Sequence, residues 1–124
     1  MRVLLDTHAL LWALDGSENL SALARHTIVS LENEVLVSSV SGWEIAIKRA
    51  LGKLDAPRAL GAAIDEAGFV RRLIRFEDCE KLEALPPHHR DPFDRMLIAQ
   101  ALVDGVPLVT RDPWIGRYGV QTIW

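Results

Sequence analysis

Val3-Leu4-Leu5-Asp6 opens the chain with a short run that is continuously apolar and ends in an acid, and Val35-Leu36-Val37 and Val106 to Val109 repeat the apolar form. None of these runs alternates polar with apolar residues. A strand built this way is buried on both faces, which points to a parallel sheet with helices packed on each side. The intervening segments supply the helices. Ala9 to Leu14 is apolar around Trp12 and is broken by Asp15-Gly16-Ser17, and Leu20 to Leu31 carries apolar residues at helical spacing. Ser41-Gly42-Trp43-Glu44 predicts a helix start, with the helix running to about Leu51 before Gly52. Pro57 to Ala67, ending at Gly68, and Glu77 to Leu85, stopped by Pro86-Pro87, predict two more. Asp91-Pro92 opens a strongly apolar helix, Phe93 to Val103, that Gly105 terminates. Phe69 to Ile74 is a candidate third strand weakened by Arg71 and Arg72, and Val120 to Ile123 a candidate edge strand. Strands alternating with helices give an α/β class.

The chain has 124 residues, of which 49% are hydrophobic and 25% charged, enough for one domain with a real core and too few for two. Residues 1–124 hold no repeat, low-complexity tract or linker, so a single domain is expected. No apolar run approaches the ~20 residues needed to span a bilayer, and Asp6 interrupts any leader-like core, so no membrane association is expected. Cys79 is the only cysteine; an internal disulfide is impossible and a reducing, cytoplasmic location fits. Net charge is −3, which argues against holding nucleic acid by bulk electrostatics. A carboxylate cluster that binds divalent cations, however, counts as acidic only until the metal arrives.

Four acids draw attention by their places in the element order. Asp6 directly follows the first strand and Asp112 follows the fourth by one turn, while Glu44 and Asp94 fall near the starts of helices. Ligands of parallel α/β sheets bind at the carboxyl ends of strands, where helices begin. All four can therefore reach one edge of the sheet. Two carboxylates ~4 Å apart repel by about 4 kcal/mol at an effective dielectric near 20. Four at one site demand protons or a cation. Oxygen ligands without cysteine or a spaced histidine pair select Mg²⁺ or Mn²⁺ over zinc. Such ions activate water and neutralise a phosphodiester under attack. Each acid also has a plain alternative: Ser41-x-x-Glu44 matches a capping box, Asp91-Pro92-Phe93-Asp94 matches ordinary helix-start chemistry, Asp112-Pro113 a turn, and Asp6 a helix cap.

The chain resembles the PIN-domain proteins, in particular VapC-type toxins of bacterial toxin–antitoxin pairs. The resemblance rests on four segments in order: Leu4 to Trp12, Val37 to Ile45, His89 to Ala101, and Leu108 to Asp112. It implies a three-layer α/β/α fold with a central, mostly parallel twisted sheet. It also implies a metal-dependent endoribonuclease using Mg²⁺ or Mn²⁺, a homodimer, and a cognate antitoxin that occludes the site. Residue by residue, the acidic metal site falls on Asp6, Glu44, Asp94 and Asp112, and Thr110 matches a hydroxyl that supports the last acid. Asp91 is extra, matching a variant with two aspartates around the Pro-Phe pair; a helix cap is favoured over contact with metal or water.

Arg90, Arg95 and Arg111 flank the acids and are candidates for contact with the RNA backbone, with solvated surface charge as the competing reading. His8 is expected to pack or orient, and His88 and His89 to sit on loop surface. Trp12, Trp43, Trp114 and Trp124 could stack on bases, but packing is favoured. Leu10, Leu11, Leu14, Ile45 and Ile47 offer more apolar surface than short helices bury alone, which suggests a docking face for a second subunit or an antitoxin segment. Two rival functions use the same acids differently. A phospho-acceptor receiver domain would need a lysine after the last strand, and Arg117 to Trp124 has none; a haloacid-type phosphatase would need an acid where His8 stands. A PIN-like scaffold without catalysis is the third alternative, against which the full set of acids argues.

Overall fold

β1 (Arg2–Leu5) lies at the centre of the sheet because Val3, Leu4 and Leu5 leave no side chain for water to reach: all three are completely buried. The structure, a computed structural model, describes residues 1–124. Around β1 stand β2 (Glu34–Ser38), β3 (Val70–Arg72), β4 (Leu108–Val109) and β5 (Thr122–Ile123), in the order β3-β2-β1-β4-β5 with every pairing parallel. Val3 pairs with Val35 and Leu5 with Val109, so the apolar triplets align across the middle of the sheet.

Successive strand residues face opposite layers. Val3, Leu5, Val35, Val37 and Val109 join a core with α1 (Thr7–Asp15), α2 (Ala22–Val29) and α4 (Leu60–Glu66) through Leu10, Ala24, Ile28 and Ile64. Leu4, Leu36 and Leu108 face a second core built from α6 (Pro92–Asp104) through Leu97, Ile98 and Ala101, with Ile115 and Tyr118 of a 3₁₀ turn (Ile115–Tyr118) beside them. Helix α3 (Ser39–Ala50) straddles the layers, with Val40 in one core and Ile45 in the other. α5 (Phe76–Glu83) packs on α6. This is the three-layer α/β/α arrangement expected, and no helix is long and apolar enough to cross a membrane.

Boundaries differ from the sequence expectations where capping decides them. Helix α3 starts at Ser39, not at Ser41, because Ser38 at the end of β2 accepts the Val40 N–H at 3.0 Å. Ser41 and Glu44 are therefore not a capping box; Ser41 is buried within the first turn and Glu44 lies on the second. Helix α4 begins only at Leu60, three residues after the proline expected to open it. The apolar run at Val106 yields a strand of two residues, Leu108 and Val109, since only these align with the short end of β1 and with β5. Gly105 takes φ 65°, a left-handed cap that lets α6 stop and the chain turn into β4.

The sheet order matters for the site. From β1 the chain moves outward to β2 and β3, then returns over α5 and α6 to β4 on the other side of β1. Connections leaving β1 and β4 thus part in opposite directions and open a crevice at their carboxyl ends, where ligands bind in such folds.

Candidate active site

Asp6 and the Thr110-to-Asp112 segment leave the two strands that flank this crevice. The Asp6 amide is bonded to the Val109 carbonyl at 3.1 Å, and its carboxylate caps α1 by accepting the Ala9 N–H at 2.8 Å. The Asp112 amide donates to the Thr110 hydroxyl at 3.1 Å, and its Oδ1 accepts the Trp114 N–H at 2.9 Å, which folds the turn tightly after β4. Asp94 reaches the same place from α6. Asp91 caps that helix, its Oδ1 accepting from the amides of Phe93 and Asp94 at 2.8 and 3.1 Å, with Pro92 in the first turn. Asp6, Asp94 and Asp112 together line a cleft of about 310 Å³ with His8, Trp12, Arg111 and Pro113.

Glu44 lies behind these acids rather than in the lining. It is 3% exposed, and both its oxygens are engaged: Oε1 accepts from the Thr7 hydroxyl at 2.7 Å and Oε2 from Lys48 Nζ at 2.5 Å. The Thr7 hydroxyl is in turn 3.0 Å from Ser41 Oγ. Trp43, half-exposed on α3, meets Phe93 edge-on at 5.0 Å and helps to hold α3 against the start of α6.

His89 departs most from its expectation. Far from lying free on loop surface, its Nε2 is 2.9 Å from Asp112 Oδ2 and 3.2 Å from Asp94 Oδ2, and its Nδ1 accepts the Asp91 N–H at 3.1 Å. Its own amide donates to the Tyr118 hydroxyl at 2.7 Å. His88-His89-Arg90 forms the polar loop expected after Pro86-Pro87, and Arg95 pins it through the carbonyls of Leu85, Pro86 and His89. Arg95 is thereby occupied within the protein. Arg111 stays exposed, its guanidinium 4.6 Å from the Trp12 ring centroid at the lip of the cleft, and Arg90 is exposed beside Asp91.

The electrostatics follow from this crowding. Burial pushes the Asp94 carboxyl up to about 7; repulsion from Asp91, Asp6 and Glu44 adds to the rise, and attraction to His89 opposes it. Burial also raises Asp6, against bonds from Thr110 and the Ala9 amide. The bond to Glu44 raises Lys48, reinforced by Asp91 and Asp94 across the gap. A carboxyl group that burial and neighbouring acids together push toward its neutral form marks a place where a cation would be welcome. The donor set is oxygen-rich and hard, as Mg²⁺ and Mn²⁺ prefer, and the residues present fit such an ion.

A family model for the PIN domain matches residues 3–120. This chain belongs to the PIN-domain family. Among solved structures, the PIN domain is similar to VapBC2 from Rickettsia felis, solved bound to a DNA fragment from its promoter, with TM-score 0.68 and 14% identity over 98% of this chain and 97% of that one. It is also similar to a toxin–antitoxin complex from Klebsiella pneumoniae, with TM-score 0.61 and 17% identity over 89% and 86% of the two chains. At these identities the likeness concerns the fold. No curated protein matches the chain in sequence. Membership in the PIN family removes the receiver and phosphatase alternatives.

Three site residues of this PIN domain escaped the sequence reading. Lys48 was signalled by its i, i+4 spacing from Glu44. Thr7, next to Asp6, had no signal beyond its hydroxyl. His89 had only its nearness to Asp91, because its contact with Asp112 spans 23 residues of chain.

Proposed function

We propose that this PIN domain is a metal-dependent endoribonuclease, hydrolysing RNA phosphodiester bonds as the toxin of a toxin–antitoxin pair. One observation carries the assignment: Asp6, Asp94 and Asp112, from three separate elements, line a single cleft in which Asp94 is driven to about 7. PIN domains are generally nucleases, which supports the same reaction class. Asp6, Asp94 and Asp112 would hold the ion, with Glu44 adding charge from behind. When bound, Mg²⁺ or Mn²⁺ supplies Lewis acidity toward a phosphate and a more acidic water. Thr7 and Lys48 fix the Glu44 carboxylate, and Lys48 keeps a positive charge near the acids that does not depend on metal. Thr110 orients Asp6 and the turn carrying Asp112. Arg111 at the cleft lip, and Arg90 beside Asp91, would meet the phosphate backbone, whereas Arg95 supports the loop instead.

The antitoxin and homodimer parts of the proposal rest on surface. The Klebsiella pneumoniae neighbour is named as a toxin–antitoxin complex, and here a groove of about 580 Å³ adjoins the cleft, sharing His8 and Trp12 and lined by Leu11, Leu14, Leu54 and Ala56. An apolar segment laid there would reach the edge of the cleft at His8 and Trp12. Leu10 and Ile45, also considered as docking surface, are fully buried and belong to the core instead.

The test is cleavage of total RNA by the purified chain with Mg²⁺ and with EDTA, alongside Asp6→Asn and Asp94→Asn. Cleavage in Mg²⁺ that EDTA and both substitutions abolish, with the fold retained, is expected. Undiminished cleavage by either variant would defeat the assignment.

A further inference from the structure

His89 permits a sharper statement, one that rests on the metal assignment above. The Asp91 amide points its hydrogen at His89 Nδ1, 3.1 Å away, and an amide hydrogen needs a lone pair to accept it. Nδ1 therefore carries no hydrogen, and the hydrogen-bond pattern assigns the single ring N–H to Nε2. That N–H faces two carboxylate oxygens at once, Asp112 Oδ2 at 2.9 Å and Asp94 Oδ2 at 3.2 Å.

The donor atoms of His89, Asp94 and Asp112 lie within 4.8 Å of one another, a spacing that would also suit three ligands of one metal. The tautomer separates the two roles. A nitrogen that carries hydrogen has no lone pair in the ring plane to give to a cation, and freeing one would require the ring to break its bond from Asp91. We propose that His89 is a positioning residue, not a ligand: its shared N–H draws Asp94 and Asp112 together and turns them toward the cleft they form with Asp6. Asp91 then acts twice, its carboxylate starting the helix that carries Asp94 and its amide setting the ring that orients it. The ring is itself held, since the His89 amide is bonded to Tyr118 and the His89 carbonyl faces Arg95. Donors of this kind behind metal-binding carboxylates influence metal affinity on the order of 10–100-fold.

The experiment uses the full chain and Mn²⁺. Long-range ¹H–¹⁵N correlation on the metal-free protein should show His89 with its hydrogen on Nε2. Pulsed electron paramagnetic resonance of the Mn²⁺ complex should show no directly bound nitrogen. By calorimetry His89→Gln, whose amide can replace the N–H but not a ring nitrogen, should bind Mn²⁺ about as tightly as the parent, and His89→Ala about 10–100-fold more weakly. A hydrogen on Nδ1, a bound-nitrogen coupling, or unchanged affinity in the alanine variant overturns the inference. If His89→Ala does not fold, the tautomer, the nitrogen coupling and the glutamine variant decide. Nitrogen ligation with Mn²⁺ bound defeats this inference alone; a parent chain that binds no Mn²⁺ defeats the metal assignment and this inference with it.

Discussion

Asp94 concentrates the physical conflict of the molecule in one side chain. Buried at the start of α6 and crowded by Asp91, Asp6 and Glu44, it keeps its proton to about 7, while in the unfolded chain it releases that proton near 4. The folded state thus binds more protons than the unfolded state between these values. Its stability must fall as pH rises from about 4 to about 7, through this group, and then level off. Thermal melts of the metal-free protein in EDTA across that window should show the decline, and Mg²⁺ should flatten it by favouring the ionised form. Asp94→Asn carries the same logic to a fixed pH. At pH 8 without metal it should melt higher than the parent, by roughly 3–6 °C for each kcal/mol of repulsion relieved, yet gain little from added Mg²⁺. A variant that melts lower, with the helical signal reduced, would show that the charge there supports the fold instead of straining it.

At the scale of elements, the site depends on where helices start and on what holds them. Ser38 begins α3 and so sets the turn on which Glu44 falls; it touches no acid of the cleft. Ser38→Ala should cost about 1 kcal/mol in chemical denaturation, and cleavage by the folded fraction should persist. A larger constraint lies on the far side of the sheet. Arg72 on β3 is buried between Asp78 of α5 and Asp104 of α6, with bonds of 2.6 and 2.8 Å to Asp78 and of 2.7 and 3.1 Å to Asp104, and Gln100 also contacts Asp78. The bonds to Asp78 and Asp104 hold the Arg72 guanidinium firmly charged; burial pushes Asp78 up, but Arg72, the Arg75 amide and Gln100 outweigh it and keep the carboxyl below its usual range. Removing the cation leaves buried Asp78 with no cationic partner and Asp104 with Arg75 alone. Arg72→Leu should cost about 3–5 kcal/mol, read by denaturant midpoint, although it lies outside the cleft.

For the whole molecule, a net charge of −3 describes a chain whose acids are unevenly spent, some neutralised in the Arg72 network and others gathered at the sheet edge with no arginine or lysine bridged to them. Ligand linkage follows. Mg²⁺ or Mn²⁺ at about 100 times its dissociation constant should stabilise the fold by about 2.7 kcal/mol, and Asp6→Asn should remove most of that gain. Sedimentation at micromolar concentration tests the homodimer; a clean monomer would confine the apolar groove near the cleft to a different partner.

Much of this was legible from residues alone. The unalternating triplets at Val3, Val35 and Val106 specified a parallel sheet because burial on two faces admits no polar alternation, and helix breaks fell at Gly16, Gly52, Gly68 and Gly105 because each needs a left-handed backbone. The places of Asp6, Asp94 and Asp112 at strand ends and helix starts were likewise local facts. What sequence could not determine is contact across the fold: that Glu44 would turn toward Lys48 and Thr7, that Arg95 would serve a loop, and that His89 would bridge two acids. Local patterning acts through backbone preference and periodicity, within a few residues. Which side chains then share a proton or a cation is decided by the packing of α6 and the β4 turn against β1, and only the folded chain brings those together.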